Sequence, residues 1–141
     1  DLFSPQLPEG KIIALDPESS LTTWMEERKK RDSLDNVSIH KITENDPELG
    51  QLSDEIDLLF VGYTYFHFGD PVTYFRDKVY PYVQDKTVVA IADMAPVQGQ
   101  PRHTVSAQQV IIEMAEAGFQ IDAEPTTIYD QYLLIFKKSS Q

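Results

Sequence analysis

Cysteine is absent from this sequence, and its absence excludes disulfides, thiolate catalysis and cysteine-ligated metal. Positive charge is scarce: 12 Lys and Arg stand against 23 Asp and Glu, a formal net charge of −11. So acidic a surface repels phosphate backbones and anionic lipid, and neither nucleic acid nor a membrane is expected as a partner. The basic cluster Arg28-Lys29-Lys30-Arg31 is surrounded by Glu26, Glu27, Asp32 and Asp35, so it reads as a solvated helix face. No apolar run approaches the roughly 20 residues that span a bilayer, and no signal-peptide pattern is seen. The expected location is cytoplasmic. Histidine is rare, and His40, His67 and His103 show no metal-ligand spacing, so no metal site is expected. Neither a G-x-S-x-G elbow nor a Walker loop occurs.

What is present suggests one globular domain. The chain has 141 residues, 41% hydrophobic and 11% aromatic, enough to bury a core. Apolar strands alternate with amphipathic helices, the pattern of an α/β fold with a largely parallel sheet. Lys11 to Asp16 reads as a buried strand and Val37 to Ile42 as one nearer a sheet edge. Ile56 to Val61 and Thr87 to Asp93 read as the most buried strands. Ser20 to Leu34 is expected to be a helix with Leu21, Trp24, Met25 and Leu34 inward. Asp70-Pro71 starts another helix, an N-cap acid before a first-turn proline, with a buried stripe of Val72, Phe75, Val79 and Val83. Ser106-Ala107-Gln108-Gln109 forms a capping box for a helix that ends where Gly118 supplies a left-handed cap. Tyr132 to Lys137 is the closing strand.

In an open parallel sheet, ligands bind beyond the carboxyl ends of the strands. The residues that follow each apolar run are therefore the candidates. Asp16 follows the first strand; its carboxylate could take both hydroxyls of a ribose, or equally cap the next helix. Thr43, Glu44, Asn45 and Asp46 form a polar turn that could face an adenine edge, although an Asp-Pro turn needs no ligand. After the third strand comes Gly62-Tyr63-Thr64-Tyr65-Phe66-His67-Phe68, an unusually aromatic loop. Gly62 would let a ligand approach the backbone. Tyr63, Tyr65 and His67 could line an acceptor pocket or simply pack under the loop. Asp93 and His103 complete the candidate substrate side.

Placed in order, these pieces resemble the class I S-adenosylmethionine-dependent methyltransferases from their second strand onward. Gly10-Lys11-Ile12-Ile13-Ala14-Leu15-Asp16 is similar to the strand that ends in the ribose-binding acid. Phe66-His67-Phe68-Gly69-Asp70-Pro71 resembles the turn before the family's fourth helix. Ala92-Asp93-Met94-Ala95-Pro96 resembles the end of strand five, and Glu116-Ala117-Gly118-Phe119 the exit from the helix before the closing strand pair. The resemblance implies a doubly wound, Rossmann-like α/β fold, S-adenosylmethionine as cofactor and methyl transfer to a small-molecule substrate. It implies Asp16, Thr43, Glu44, Asn45, Asp46 and Gly62 on the cofactor, with Tyr63, Tyr65, His67, Asp93 and His103 on the substrate.

The family's first strand and its Gly-x-Gly loop have no counterpart in residues 1–141. The expectation is that an upstream segment or a second chain completes the sheet, and that this stretch does not fold by itself. Two rivals stand beside the methyltransferase reading. One is a non-catalytic interaction module on the same fold. The other is a nicotinamide-dependent oxidoreductase, which would also place Asp16 on a ribose but fits the closing strand pair poorly.

Overall fold

The structure, a computed structural model, describes residues 6–7, 9–97 and 104–139. The chain divides into two compact units, Asp1–Glu48 and Leu49–Gln141.

In the first unit, β1 (Ile12–Asp16) and β2 (Val37–Lys41) pair in parallel, Ile12 opposite Val37 and Asp16 opposite Lys41. Helix α1 (Ser19–Asp32) makes the crossover between them, as parallel neighbours require. It stops at Ser33, which takes a left-handed conformation (φ 51, ψ 49) and donates its N–H to the carbonyls of Lys29 and Lys30. Lys29, Lys30 and Arg31 in the last turn complement the negative end of the helix dipole. Asp32 is held down to about 2 first by the Arg31 hydrogen bond, then also by Arg28. One expectation is corrected here. Leu21 and Trp24 do not face inward: they are 48% and 51% exposed, and α1 buries no residue at all. The two strands of this unit offer too narrow a platform to cover a four-turn helix, and the Arg28 guanidinium lies over the Trp24 ring at 5.4 Å instead.

The second unit is built on a mixed sheet. Its strands are β3 (Leu58–Gly62), β4 (Val88–Met94), β5 (Phe119–Ile121), β6 (Thr126–Ile128) and β7 (Gln131–Lys138). The order is β3-β4-β7-β5, with β6 also on β7. β3 and β4 are parallel; β7 runs antiparallel to β4 and to both short strands. Together β5 and β6 act as one interrupted strand along β7, so the expected antiparallel ending is present. β3, expected among the most buried strands, pairs only with β4 among the described residues, and Leu58 on it is 50% exposed.

Asp70 caps α2 (Pro71–Tyr74), its side chain accepting from the Thr73 amide. The winding then widens to a π-helical turn over Phe75–Val79 and tightens to a 3₁₀ turn over Tyr80–Tyr82. Pro81, which has no N–H to give, sits where that change occurs. Phe75, Val79 and Val83 are buried as the stripe predicts. Ser106 caps α3 (Ala107–Glu116) through the Gln109 amide, and Val110 and Met114 on it are fully buried. Gly118 takes φ +95, and a Cβ there would lie 3.0 Å from the Tyr80 ring. The core between helices and sheet is strongly aromatic: Phe75 meets Phe119 edge-on at 6.4 Å, and Phe119 meets Tyr80 at 5.4 Å.

Candidate functional site

Within the first unit, the carboxyl ends of β1 and β2 bring Asp16 and the 43–46 turn to the same end. Asp16 is level with Lys41, and the Ile42 amide donates to the Asp16 carbonyl at 3.1 Å. The Asp16 carboxylate is half-buried, and its Oδ1 accepts from the Glu18 amide at 2.8 Å. That bond shapes the approach to α1 without capping it, because Glu18 is itself the N-cap residue and no side chain caps the helix. Among the described residues no hydrogen bond engages Oδ2, so a carboxylate oxygen remains for a hydroxyl donor. The turn that follows is self-closing: Thr43 bridges Asp46, and Asp46 Oδ1 accepts from the Glu48 amide at 2.8 Å. Those bonds leave Glu44 and Asn45 exposed at its tip. Glu48 takes a left-handed φ of 54 to make the turn.

In the second unit, the aromatic loop follows β3 and is divided between two tasks. Tyr65, expected on the substrate side, is instead 1% exposed. Its ring stacks on Phe75 at 5.8 Å and meets Phe68 edge-on at 5.9 Å. Its hydroxyl donates to Glu113 Oε2 on α3 at 2.8 Å. Burial first, and then that hydrogen bond, raises the Tyr65 phenol well above its ordinary range. Tyr63 and His67, by contrast, are exposed. Tyr63 holds a left-handed φ of 54, and its hydroxyl donates to Gln131 Oε1 at the start of β7, 2.8 Å away. The His67 ring lies 3.9 Å from that of Phe66.

Asp93 is likewise withdrawn from solvent, at 1% exposure. Its Oδ2 accepts from the Tyr65 amide at 3.1 Å and its Oδ1 from the Met94 amide at 2.7 Å. Both oxygens serve the backbone, so this acid fixes the loop after β3 to the end of β4. Gly62 also has a local reason. A Cβ there would come within 2.7 Å of the Phe60 ring, so its open space faces that ring. His103 lies outside the described residues.

Glu113, Gln131 and Tyr132 were not among the candidates, and their parts in the site come from pairing alone. Tyr132 sits opposite Asp93 across β4 and β7 and donates to the Val105 carbonyl at 3.0 Å. Among the described residues, no group of three His, Cys, Asp or Glu is placed to hold a metal ion. No helix among them is long and apolar enough to cross a membrane.

By sequence, the chain matches no family model and no curated protein. By structure it is similar to solved proteins at low identity. It superposes on a SAM-dependent methyltransferase from Aquifex aeolicus with a TM-score of 0.81, over 96% of this chain and 73% of that one, at 16% identity. The fold is that of the class I methyltransferases. LepI in complex with SAM aligns at a TM-score of 0.70 and 13% identity over 98% of this chain. The mitomycin 7-O-methyltransferase MmcR aligns at 0.73 and 10% identity over 94% of it. The chain spans only 39% and 43% of the lengths of LepI and MmcR. The largely parallel pairing and the antiparallel closing strands are the parts of that fold expected from the sequence.

Proposed function

We propose that this chain forms the cofactor and acceptor sites of an S-adenosylmethionine-dependent methyltransferase that acts on a small molecule. The observation that carries the reading is Asp16: a half-buried acid at the carboxyl end of β1, beside the exposed Glu44-Asn45 tip, in this fold. Support comes from proteins of similar fold that are SAM-dependent methyltransferases or are bound to SAM or SAH.

The residues fit such a cofactor. Asp16 Oδ2 would accept from a ribose hydroxyl while Oδ1 keeps the Glu18 amide, and Thr43, Glu44, Asn45 and Asp46 would border the adenine. When bound, the cofactor supplies an electrophilic methyl on a sulfonium. The chain's own task is then to position an acceptor and exclude water, and positioning alone can supply much of the acceleration. Tyr63 and His67, exposed at the carboxyl end of β3, would meet the acceptor. Asp93 and Tyr65 would act behind them, by holding the loop. We also propose that a further strand, from the same polypeptide or from a second chain, pairs with the outer edge of β3.

Calorimetric titration with S-adenosylmethionine and with NADH tests the reading. Binding of S-adenosylmethionine, weakened by roughly 1.5–3 kcal/mol in Asp16→Ala as for a lost hydrogen bond to a charged group, is the expected result. Binding of NADH instead would favour the oxidoreductase, and binding of neither would favour an interaction module.

A further inference from the structure

Tyr129 is the most exposed large hydrophobic residue described, at 97%. It is also held in the left-handed region, at φ 56, where a bulky residue is an outlier. It occupies the two-residue turn between β6 and β7, a place where glycine or asparagine would form the turn with less strain. Neither turn geometry nor core packing accounts for a tyrosine there. Tyr63 repeats the combination: a left-handed φ of 54 and 50% exposure. Strained residues of this kind concentrate where ligands are held.

Topology brings the two tyrosines to one end of the sheet. β7 runs antiparallel to β4, so Gln131, its first residue, lies opposite Met94, the last residue of β4. The Tyr129-Asp130 turn therefore stands beyond the carboxyl end of β4, where the Ala95 amide donates to the Asp130 carbonyl at 2.7 Å. Tyr63 leaves the adjacent parallel strand at the same end, and its hydroxyl is bonded to Gln131. Ile128, paired with Gln131 across the turn, is 62% exposed. We propose that Tyr63, Ile128 and Tyr129 form an aromatic lip that stacks an uncharged, planar aromatic acceptor. Gln131 is its positioning residue, fixing the Tyr63 ring through the hydroxyl. Tyrosine suits the task because it offers a flat apolar face with few rotatable bonds. None of the four side chains is charged, and the net charge of −11 disfavours an anion. The proposal deepens the methyltransferase reading, on which the word acceptor rests.

The test is a titration of the protein with 2-naphthol, followed by NMR of isotope-labelled tyrosine rings and isoleucine methyls. Its saturated counterpart, 2-decalol, is the control. Saturable shifts at Tyr63, Ile128 and Tyr129 with 2-naphthol, and markedly weaker binding of 2-decalol, are expected. Tyr129→Ala should weaken 2-naphthol by roughly three- to tenfold, the range for a lost aromatic pair. Tyr63→Phe, which keeps the ring but loses the Gln131 bond, should weaken it less than Tyr63→Ala. Equal binding of the two alcohols, shifts gathered elsewhere, or an unchanged affinity in Tyr129→Ala would overturn the lip. Tyr129 is too exposed for its loss to unfold the protein, so that variant decides even if Tyr63→Ala does not fold. S-adenosylmethionine titrated into the same samples separates the two ideas. A protein that binds 2-naphthol at the lip but not the cofactor keeps the lip and loses the methyltransferase reading; the reverse pattern does the opposite.

Discussion

Asp93 illustrates how an acid at the end of a strand can look like a ligand-binding group and act as a fastener. Its two oxygens satisfy the amides of Tyr65 and Met94 in a place almost closed to water. An asparagine of the same shape can accept through only one of its two terminal atoms, which would leave one buried amide without a partner. Asp93→Asn should therefore lower the unfolding free energy by about 1–3 kcal/mol, read from urea denaturation. No change in stability would return Asp93 to the substrate side. Asp16 differs because only one of its oxygens is committed, which is why it keeps a ligand role in the proposed function.

At the scale of elements, a hydrogen bond from Tyr65 to Glu113 joins the loop after β3 to α3, while the Tyr65 ring stacks on Phe75 in the π-helical turn after α2. Glu113 also accepts from Gln109 at 2.8 Å, so the carboxylate is held in place for the phenol. Tyr65→Phe should cost roughly 1.5–3 kcal/mol near neutral pH, as for a hydrogen bond to a charged group. The pH dependence follows from the direction of the shift. Burial first, then Glu113, raises the Tyr65 phenol above its ordinary value of 10.0. Burial first, then the charges of Asp93 and Glu113, raises Tyr132 likewise. The folded state thus holds these protons more tightly than the unfolded chain. Their contribution is complete below the unfolded value and is lost as pH rises above about 10. Denaturation curves should show the gap between wild type and Tyr65→Phe narrowing above that pH. A gap that stays constant would show that the hydroxyl contributes nothing through its proton.

For the whole molecule, the edges matter most. Val88 donates to the Asp57 carbonyl and Tyr63 to the Ala92 carbonyl. By the alternation of a parallel strand, Leu58 and Gly62 turn their amides and carbonyls to the other edge of β3. No strand lies along that edge among the described residues. An apolar strand left with one open edge is a template for pairing with another chain, and α1, which buries nothing, adds exposed apolar surface. The polypeptide of residues 1–141 taken alone should accordingly associate or melt without a sharp transition, as measured by light scattering and circular dichroism. A monomer with a cooperative melt would argue that β3 needs no further strand.

Local sequence determined the elements. The Asp70 and Ser106 caps, the left-handed Gly118 and the alternation of strands with helices depend on neighbours a few residues apart, whose interactions composition and spacing reveal. The order of those elements also carried the resemblance to the methyltransferase fold. Which side of α1, and which residues of the loop after β3, meet water was decided only by tertiary packing. Leu21 and Trp24 read as inward because helical spacing marks an apolar face, but spacing does not say whether anything lies opposite it. Tyr63 and Tyr65, two residues apart in one loop, have opposite fates because Asp93 and Glu113, distant in sequence, take hold of Tyr65 while Gln131 takes hold of Tyr63. Partners 28 to 68 residues apart leave no local signal, since their pairing exists only after β4, α3 and β7 have assembled around the loop.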